Sequence, residues 1–250
     1  MAKKIKTQTT NKTEKLFLDK FKTLCNTRSE WEVWADFITA TACAIANSIE
    51  KNSDEFNKRE EEFEKCAKRL GGSDVAAELF AITTMALDEN PEQDFLGGLF
   101  MKLNLGNHWK GQFFTPYCVC KTMAAINSVE LEEKIADKGW VSVNDCACGA
   151  GATLIAMANT LKNNGVNYQN HALFVAQDID RVAGLMCYIQ LSLLGCPGYV
   201  VIANSLTNPI VGNVLNPMKK ENQEFWFTPM YVSDVWHFRR LFNTMDDLLR

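Results

Sequence analysis

Residues 141–154 read VSVNDCACGAGATL, an apolar run that breaks into a turn of small residues and continues as an apolar helix. This order predicts a strand, a loop and a helix start. The small residues let backbone N–H groups approach a ligand, and the helix N-terminus adds a partial positive charge. Only Gly149 and Gly151 are present and no Gly-Lys-Ser/Thr follows, so neither a complete dinucleotide fingerprint nor a triphosphate loop is formed. A nucleotide-like ligand is expected here, although a plain tight turn explains the stretch equally well.

Downstream of this loop the pattern alternates between strand and helix. Apolar strand-like runs fall near 141–145, 172–177, 198–203 and 224–228, and segments with helical spacing near 151–163, 181–194 and 233–249. Such alternation predicts an α/β fold with a minimal, doubly wound, Rossmann-like parallel sheet. Ligands bind at the carboxyl ends of the strands in sheets of this kind. Asp178, Asn204 and segment 228–231 lie at such ends of the predicted strands.

A helical segment precedes this sheet. Ser29 and Glu32 have the spacing of a capping box, and apolar residues then recur at helical spacing. Asn90, with a proline behind it, is the predicted N-cap of the last helix of this segment. We therefore predict a helical domain over 1–105 and a second domain, which binds the ligand, over 106–250.

Length and composition describe a globular protein. The chain has 250 residues, 47% hydrophobic and 22% charged, so it can bury a sizeable core in one large or two small domains. No apolar stretch approaches the roughly 20 residues of a membrane span, and the first 15 residues lack the apolar centre of a signal peptide. A cytoplasmic protein without a membrane partner is expected. The net charge of −4 argues against a wholly basic nucleic-acid coat but leaves DNA binding open, because a cleft can be basic on an acidic protein.

Cysteine and histidine positions give no sign of a metal site. The nine cysteines fall mostly inside apolar helix or strand patterns, and their Cys-x-Cys pairs differ from the usual zinc spacings. We interpret them as reduced, buried small residues. The three histidines have no other ligand residues near them in sequence, so no metal is expected.

The loop and a segment before it resemble two motifs of one family. DCACGAG at 145–151 resembles the DPACGSG loop that binds S-adenosylmethionine in N-6 adenine DNA methyltransferases, especially the modification subunits of type I restriction systems. GQFFTP at 111–116 is similar to the GQFYTP segment before this loop in the same family, and the resemblance runs roughly from Asp94 to Tyr231. It implies S-adenosylmethionine as cofactor, bound by Phe113, Thr115, Pro116, Asp145, Ala147, Cys148, Gly149 and Gly151.

Polar residues at the ends of the next two predicted strands add to the expected cofactor site. Asp178 stands where a carboxylate can accept hydrogen bonds from both ribose hydroxyls of a nucleoside, and it aligns with an acidic residue of the family. Asp180 is interpreted as the cap of the next helix, and the alternative that both are caps stays open. Asn204 stands where the family has an aspartate that accepts the adenine amine of the cofactor. An amide oxygen can accept the same bond, and an ordinary loop asparagine is the alternative.

The family also carries an Asn/Asp-Pro-Pro-Tyr/Phe tetrapeptide after its fourth strand. The nearest match here is Thr228-Pro229-Met230-Tyr231, which follows the apolar run 225–227. The resemblance implies that Pro229 offers its carbonyl to the target amine and that Tyr231 stacks on the flipped base. Thr228 takes the place of the family's Asn or Asp with a shorter hydroxyl.

These residues together predict a transferase that moves a methyl group from S-adenosylmethionine to the exocyclic amine of adenine in DNA. The reaction needs in-line positioning and removal of the amine's positive charge. Two alternatives stay open: a non-catalytic, cofactor-binding partner protein, and a methyltransferase that acts on RNA or on a protein amide. One helical segment follows Tyr231, whereas the family continues with further strands and a target-reading domain. Beside DNA as a partner, two interpretations stay open: a stand-alone short methylase, or a protein that takes its specificity from a separate specificity subunit or from self-association.

Overall fold

The computed structural model describes residues 12–51, 54–106 and 113–248. The first part is helical and contains α1 (Lys12–Leu24), α2 (Glu30–Ile49), α3 (Asp54–Leu70), α4 (Ser73–Glu89) and α5 (Phe95–Lys102). The remainder is mixed and contains α6 (Tyr117–Lys138), β1 (Val141–Asp145), α7 (Ala152–Asn163), α8 (Tyr168–His171), β2 (Ala172–Asp178), α9 (Arg181–Leu193), β3 (Gly198–Ile202), β4 (Val211–Gly212), β5 (Pro217–Met218), β6 (Glu224–Phe227) and α10 (Asp234–Leu248). The predicted mixed α/β class is confirmed. No described helix alone has the length and apolar composition of a membrane span, and only α3 with α4, bent by 93°, passes such a test as a pair.

Local capping explains where two of the helices begin. The Ser29 hydroxyl accepts from the Glu32 N–H at 3.3 Å and the Glu32 carboxylate accepts from the Ser29 N–H at 3.0 Å, so the predicted capping box is confirmed. The prediction for Asn90 is wrong, because α5 begins after Asp94, whose Oδ1 accepts from the Gly97 N–H at 2.9 Å. Asn90 instead ends α4.

One hydrophobic core runs through both parts of the chain. Its helical end is aromatic: the Phe17 ring centroid lies 5.4 Å from that of Phe37 and 5.9 Å from that of Phe95. The same contiguous cluster of buried side chains continues to Leu154 of α7 and Trp226 of β6. Residues on the two sides of the predicted domain boundary therefore share a core, and a division into two domains stays a prediction.

The sheet has the strand order β1-β2-β3-β6. The first three strands are parallel, and β6 runs antiparallel to β3. The predicted parallel, doubly wound arrangement is therefore not what the described strands form. Each parallel strand is added on the same side of the previous one, so right-handed crossovers place α7 and α9 on one face of the sheet. The chain reaches β6 through 203–223, which lacks the helix that a parallel crossover normally uses.

The two ends of the sheet hold different residues. β1, β2 and β3 finish at what we call the carboxyl end, where the register places Asp145 beside Ala176 and Asp178 beside Ile202. The opposite end, here the amino end, holds the start of β3 and the finish of the antiparallel β6. Predicted site residues therefore meet only if they lie at the same end.

Candidate functional site

The loop between β1 and α7 is a tight, hydrogen-bonded turn. Asp145 Oδ1 accepts from the Ala147 N–H at 3.1 Å, and the other Asp145 oxygen accepts from the Thr153 hydroxyl. Gly149 and Gly151 have φ values of +52° and +94°, which favour glycine. The structure thus brings the predicted loop residues together in one turn at the carboxyl end of β1.

Phe114 is the aromatic residue that covers this loop. A Cβ on Gly149 would lie 2.9 Å from the Phe114 ring, whose centroid is 5.1 Å from that of Phe100. Phe113 is 73% exposed. Neighbouring side chains of an extended segment point to opposite sides, so a shift of one residue decides which phenylalanine faces the loop. Phe114 was not identified from the sequence, and a cofactor contact of Phe113 stays a prediction.

A groove of about 520 Å³ opens beside the loop, between α6, β1 and α7. Thr115, Asp145 and Ala147 line one end of it. Pro116 begins α6 at this end, and its carbonyl accepts from the Val119 N–H at 2.9 Å. Thr115 therefore lies next to the loop, and cofactor contacts of Thr115 and Pro116 stay predictions. Residues 111–112 of the same motif lie outside the described residues.

Asp178 ties the end of β2 to the loop. Its Oδ2 accepts from the Gly149 N–H at 2.8 Å and its Oδ1 accepts from the Asp180 N–H at 2.9 Å. Burial raises the pKa of Asp178. Each carboxylate oxygen keeps a second lone pair for another donor. Asp180 caps α9, since its Oδ1 accepts from the Ala183 N–H at 3.0 Å, and the prediction for Asp180 is confirmed.

Cys148 is a buried thiol at the base of the loop. Its N–H donates to the Gln177 carbonyl at 3.1 Å, and a hydrogen bond with the Cys187 thiol, together with burial, raises its pKa. A Cβ on Gly151 would lie 2.8 Å from Cys187 Sγ, so α9 packs directly under the loop. The Cys148 thiol therefore stays protonated at neutral pH and packs against Cys187, and a cofactor contact of Cys148 stays a prediction. Among the described residues, no three His, Cys, Asp or Glu side chains are grouped to hold a metal ion.

Asn204 closes a turn after β3. Its Oδ1 accepts from the Leu206 N–H at 2.9 Å and from the Thr207 N–H at 3.2 Å. Both lone pairs of the amide oxygen are then used inside the loop. An ordinary loop asparagine, the alternative that the sequence left open, fits this geometry better than an acceptor for the adenine amine.

Two exposed apolar side chains stand at the carboxyl end of the sheet. Ile179, directly after Asp178, is 68% exposed, and Leu206, after β3, is 90% exposed. Neighbouring strands carry them, because β2 pairs with β3. The sequence reasoning did not select either residue. The signal was present in the sequence as an isoleucine between two aspartates, directly after a predicted strand.

Segment 228–231 lies at the amino end of the sheet. The register of β3 with β6 puts the end of β6 beside Gly198, whose N–H donates to Thr228 Oγ1 at 3.0 Å. Thr228 is fully buried and donates to the Cys196 carbonyl at 2.8 Å. With a rise of about 3.3 Å per residue, the length of β3 alone places this segment roughly 13 Å from the carboxyl end.

Tyr231 is enclosed by its neighbours. Its ring stacks on Phe227 at 4.8 Å between centroids, and the Arg240 guanidinium lies 4.2 Å from the ring centroid. No face is left for a flipped base. The prediction that Thr228, Pro229 and Tyr231 form the catalytic segment is therefore wrong in this fold, because the antiparallel β6 delivers them to the end of the sheet away from the loop.

Tyr231→Phe is accordingly expected to lower stability and to leave cofactor affinity unchanged. The Tyr231 hydroxyl donates to the Leu215 carbonyl at 2.6 Å. A buried carbonyl left without its donor costs about 1–3 kcal/mol. Urea unfolding and titration with S-adenosylmethionine measure the two effects, and Thr228→Val should behave in the same way. If Tyr231→Phe kept full stability and lost affinity, Tyr231 would have to be assigned to the binding site.

The comparison with known families covers residues at both ends of the sheet. The family model described as N-6 DNA Methylase matches residues 100–240, a range that includes the loop and Asp178. No curated protein and no solved structure matches the chain. Because the matched range covers more than half of the chain, the protein belongs to the N-6 DNA methylase family.

Proposed function

We propose that this protein binds S-adenosylmethionine at loop 145–151 and transfers its methyl group to the exocyclic amine of adenine in DNA. Membership of the N-6 DNA methylase family supports methyl transfer to DNA. The observation that carries the cofactor assignment is the 2.8 Å bond from the Gly149 N–H to the Asp178 carboxylate. It joins the glycine turn after β1 to an acid at the end of β2. A nucleoside bound across neighbouring strand ends would meet both groups.

The residues at the carboxyl end fit the parts of this cofactor. The remaining lone pairs of Asp178 would accept from the ribose hydroxyls. Ile179 and Leu206 would flank the adenine ring with apolar surface. The N-terminus of α7 favours the carboxylate of the methionine part. When bound, the cofactor supplies an electrophilic methyl group, and the protein holds that group in position for the amine.

Ile179→Ser is expected to weaken binding of S-adenosylmethionine about tenfold, a loss of roughly 1.4 kcal/mol, because apolar contact with the adenine ring is removed. Since Ile179 is largely exposed, the melting temperature of the variant should stay near that of the parent. Val232→Ser is the matched control, an exposed apolar residue at the amino end. Calorimetric titration of both variants measures the difference. Equal affinity in the two variants would remove Ile179 from the site.

A cofactor-binding partner protein that transfers no methyl group is the second candidate. The position of segment 228–231 favours it, because residues at the amino end cannot accept a hydrogen bond from an amine held at the loop. The two candidates agree on cofactor binding and differ in turnover.

Transfer of labelled methyl from S-adenosylmethionine into a mixture of DNA, RNA and protein separates the candidates. We expect label on adenine in DNA, and heat on titration with S-adenosylmethionine but not with NAD, because the full glycine fingerprint is missing. Binding without label supports the partner protein. Label in RNA or protein would change the substrate class, and absence of cofactor binding would overturn both candidates.

The remaining parts of this proposal concern location and partners. We place the protein in the cytoplasm, with target recognition supplied by a separate specificity subunit or by self-association. Exposed apolar side chains on α10, namely Phe238, Leu241 and Phe242, support a protein partner of this kind. A monomer in light scattering, alone and with DNA, would remove self-association.

A further inference from the structure

Gln190 lies within α9 with its side chain fully buried. Its Nε2 donates to the Ala150 carbonyl at 2.8 Å and to the Asp94 carboxylate at 2.8 Å. Its Oε1 accepts from the Leu96 N–H at 3.1 Å. One amide therefore joins three segments that are far apart in sequence: the N-terminus of α5, the loop after β1 and α9.

The bond to Ala150 acts on the most adaptable part of the loop. Ala150 lies between Gly149 and Gly151, both with positive φ, and glycine has more backbone freedom to lose than any other residue. Ala150 is itself buried, so its carbonyl needs a donor. Gln190 supplies that donor from a helix, which is a rigid element.

Asp94 fixes the other side of the same amide. Its Oδ1 accepts from both the Gln190 amide and the Gly97 N–H, and it is the N-cap of α5. A Cβ on Gly97 would lie 2.6 Å from Asp94 Cγ, so a glycine is needed there to admit the carboxylate. Both Nε2 hydrogens of Gln190 then have partners, and the amide cannot rotate without breaking a buried bond.

We propose that Gln190 is a positioning residue, which sets the conformation of the cofactor loop by holding the Ala150 carbonyl to the N-terminus of α5. The effect on cofactor binding rests on the proposed function. The effect on the loop conformation does not, because the protein forms that conformation alone. The helical part of the chain thereby takes part in shaping the site.

The test compares two buried glutamines. Gln190→Met removes both donated bonds and the acceptor for the Leu96 N–H, with little change in volume. Gln223→Met is the matched control, because Gln223 is also buried and donates to the carbonyls of Asn208 and Pro209, in the segment after β3. We expect both variants to melt at lower temperatures. Only in Gln190→Met should the amide hydrogens of residues 148–151 exchange at least tenfold faster than in the parent. Only this variant should bind S-adenosylmethionine at least tenfold more weakly than the parent does.

Two further variants keep the test decisive. Gln190→Leu is a second apolar variant of similar size, which also donates nothing to Ala150, so it serves if Gln190→Met does not fold. Asp94→Asn keeps an oxygen that accepts from Gln190 and should keep the loop exchange of the parent. Loop exchange in the Gln190 variants equal to that in Gln223→Met would overturn the proposal. A further outcome is that the parent protein shows no binding of S-adenosylmethionine while the loop of Gln190→Met still exchanges faster than that of the parent. That pair of results would support the positioning role and overturn the proposed function.

Discussion

Gly198→Ala is expected to lower the free energy of unfolding by more than about 3 kcal/mol, which is a larger loss than ordinary overpacking of a core causes. A Cβ at residue 198 would lie 2.7 Å from the carbonyl carbon of Phe174 on the neighbouring strand, and closer still to the carbonyl oxygen. These are backbone atoms, so β2 and β3 have to separate. The strain would also reach Thr228, whose N–H donates to the Gly198 carbonyl at 2.9 Å. Urea unfolding followed by circular dichroism measures the loss.

Gly98→Ala is the matched control for this substitution. Gly98 lies in α5, and apart from its chain neighbours and the backbone of its own helix no atom lies within 4 Å of a Cβ built there. Alanine is favoured over glycine inside a helix by up to about 1 kcal/mol, so this variant should be as stable as the parent or more stable. Equal stability of Gly198→Ala and Gly98→Ala would show that β2 and β3 are not packed this closely.

Asp178→Ala is expected to weaken binding of S-adenosylmethionine at least about a hundredfold, because each lost hydrogen bond to a charged group contributes roughly 1.5–3 kcal/mol. Two effects combine. The proposed acceptor for the ribose hydroxyls is removed, and the Gly149 N–H loses the carboxylate that now holds the loop. Calorimetric titration of the purified variant measures the affinity.

Asp180→Ala separates binding from capping. Asp180 caps α9, and loss of an N-cap costs about 0.5–2 kcal/mol of stability. We expect this variant to melt earlier and to keep most of its affinity for S-adenosylmethionine. Similar losses of affinity in Asp178→Ala and Asp180→Ala would mean that the carboxylates are assigned to the wrong roles.

Local structure was largely predictable from the sequence. The strand predicted at 141–145 is found as β1, Val141–Asp145, and the helix predicted at 181–194 is found as α9, Arg181–Leu193. Both are bounded by strong local signals, a glycine-rich turn in the first case and Asp180 as a cap in the second. Such signals act within a few residues, and they do not depend on the rest of the fold.

The direction of the fourth strand was predicted wrongly, as parallel. An apolar run such as 224–228 has the same pattern whichever way the strand points, so the path of the connection decides its direction. The connection 203–223 contains a short hairpin and no helix. That absence of a helical pattern was visible in the sequence, and it was the signal against a parallel crossover. The error in direction moved the catalytic assignment of Thr228, Pro229 and Tyr231 to the wrong end of the sheet.

The residues that shape the loop differ in how far they can be predicted. Gly149 and Gly151 are recognisable because only glycine readily adopts positive φ. Gln190 is not recognisable in this way, since it sits on an apolar helix and its partners Asp94 and Ala150 lie many residues before it. Pairings of that kind are set by tertiary packing, and no local pattern encodes them.

The core shared by the two parts of the chain has a consequence for synthesis and truncation. The apolar face of α2 packs against α9, which begins only at Arg181, long after α2 has ended at Ile49. While the chain grows, the side of α2 that α9 will cover therefore stays exposed. Nascent chains in this state attract chaperones and associate with one another. Fragments that stop before α9 should be recovered mainly as aggregates, even though every residue of the first five helices is present in them.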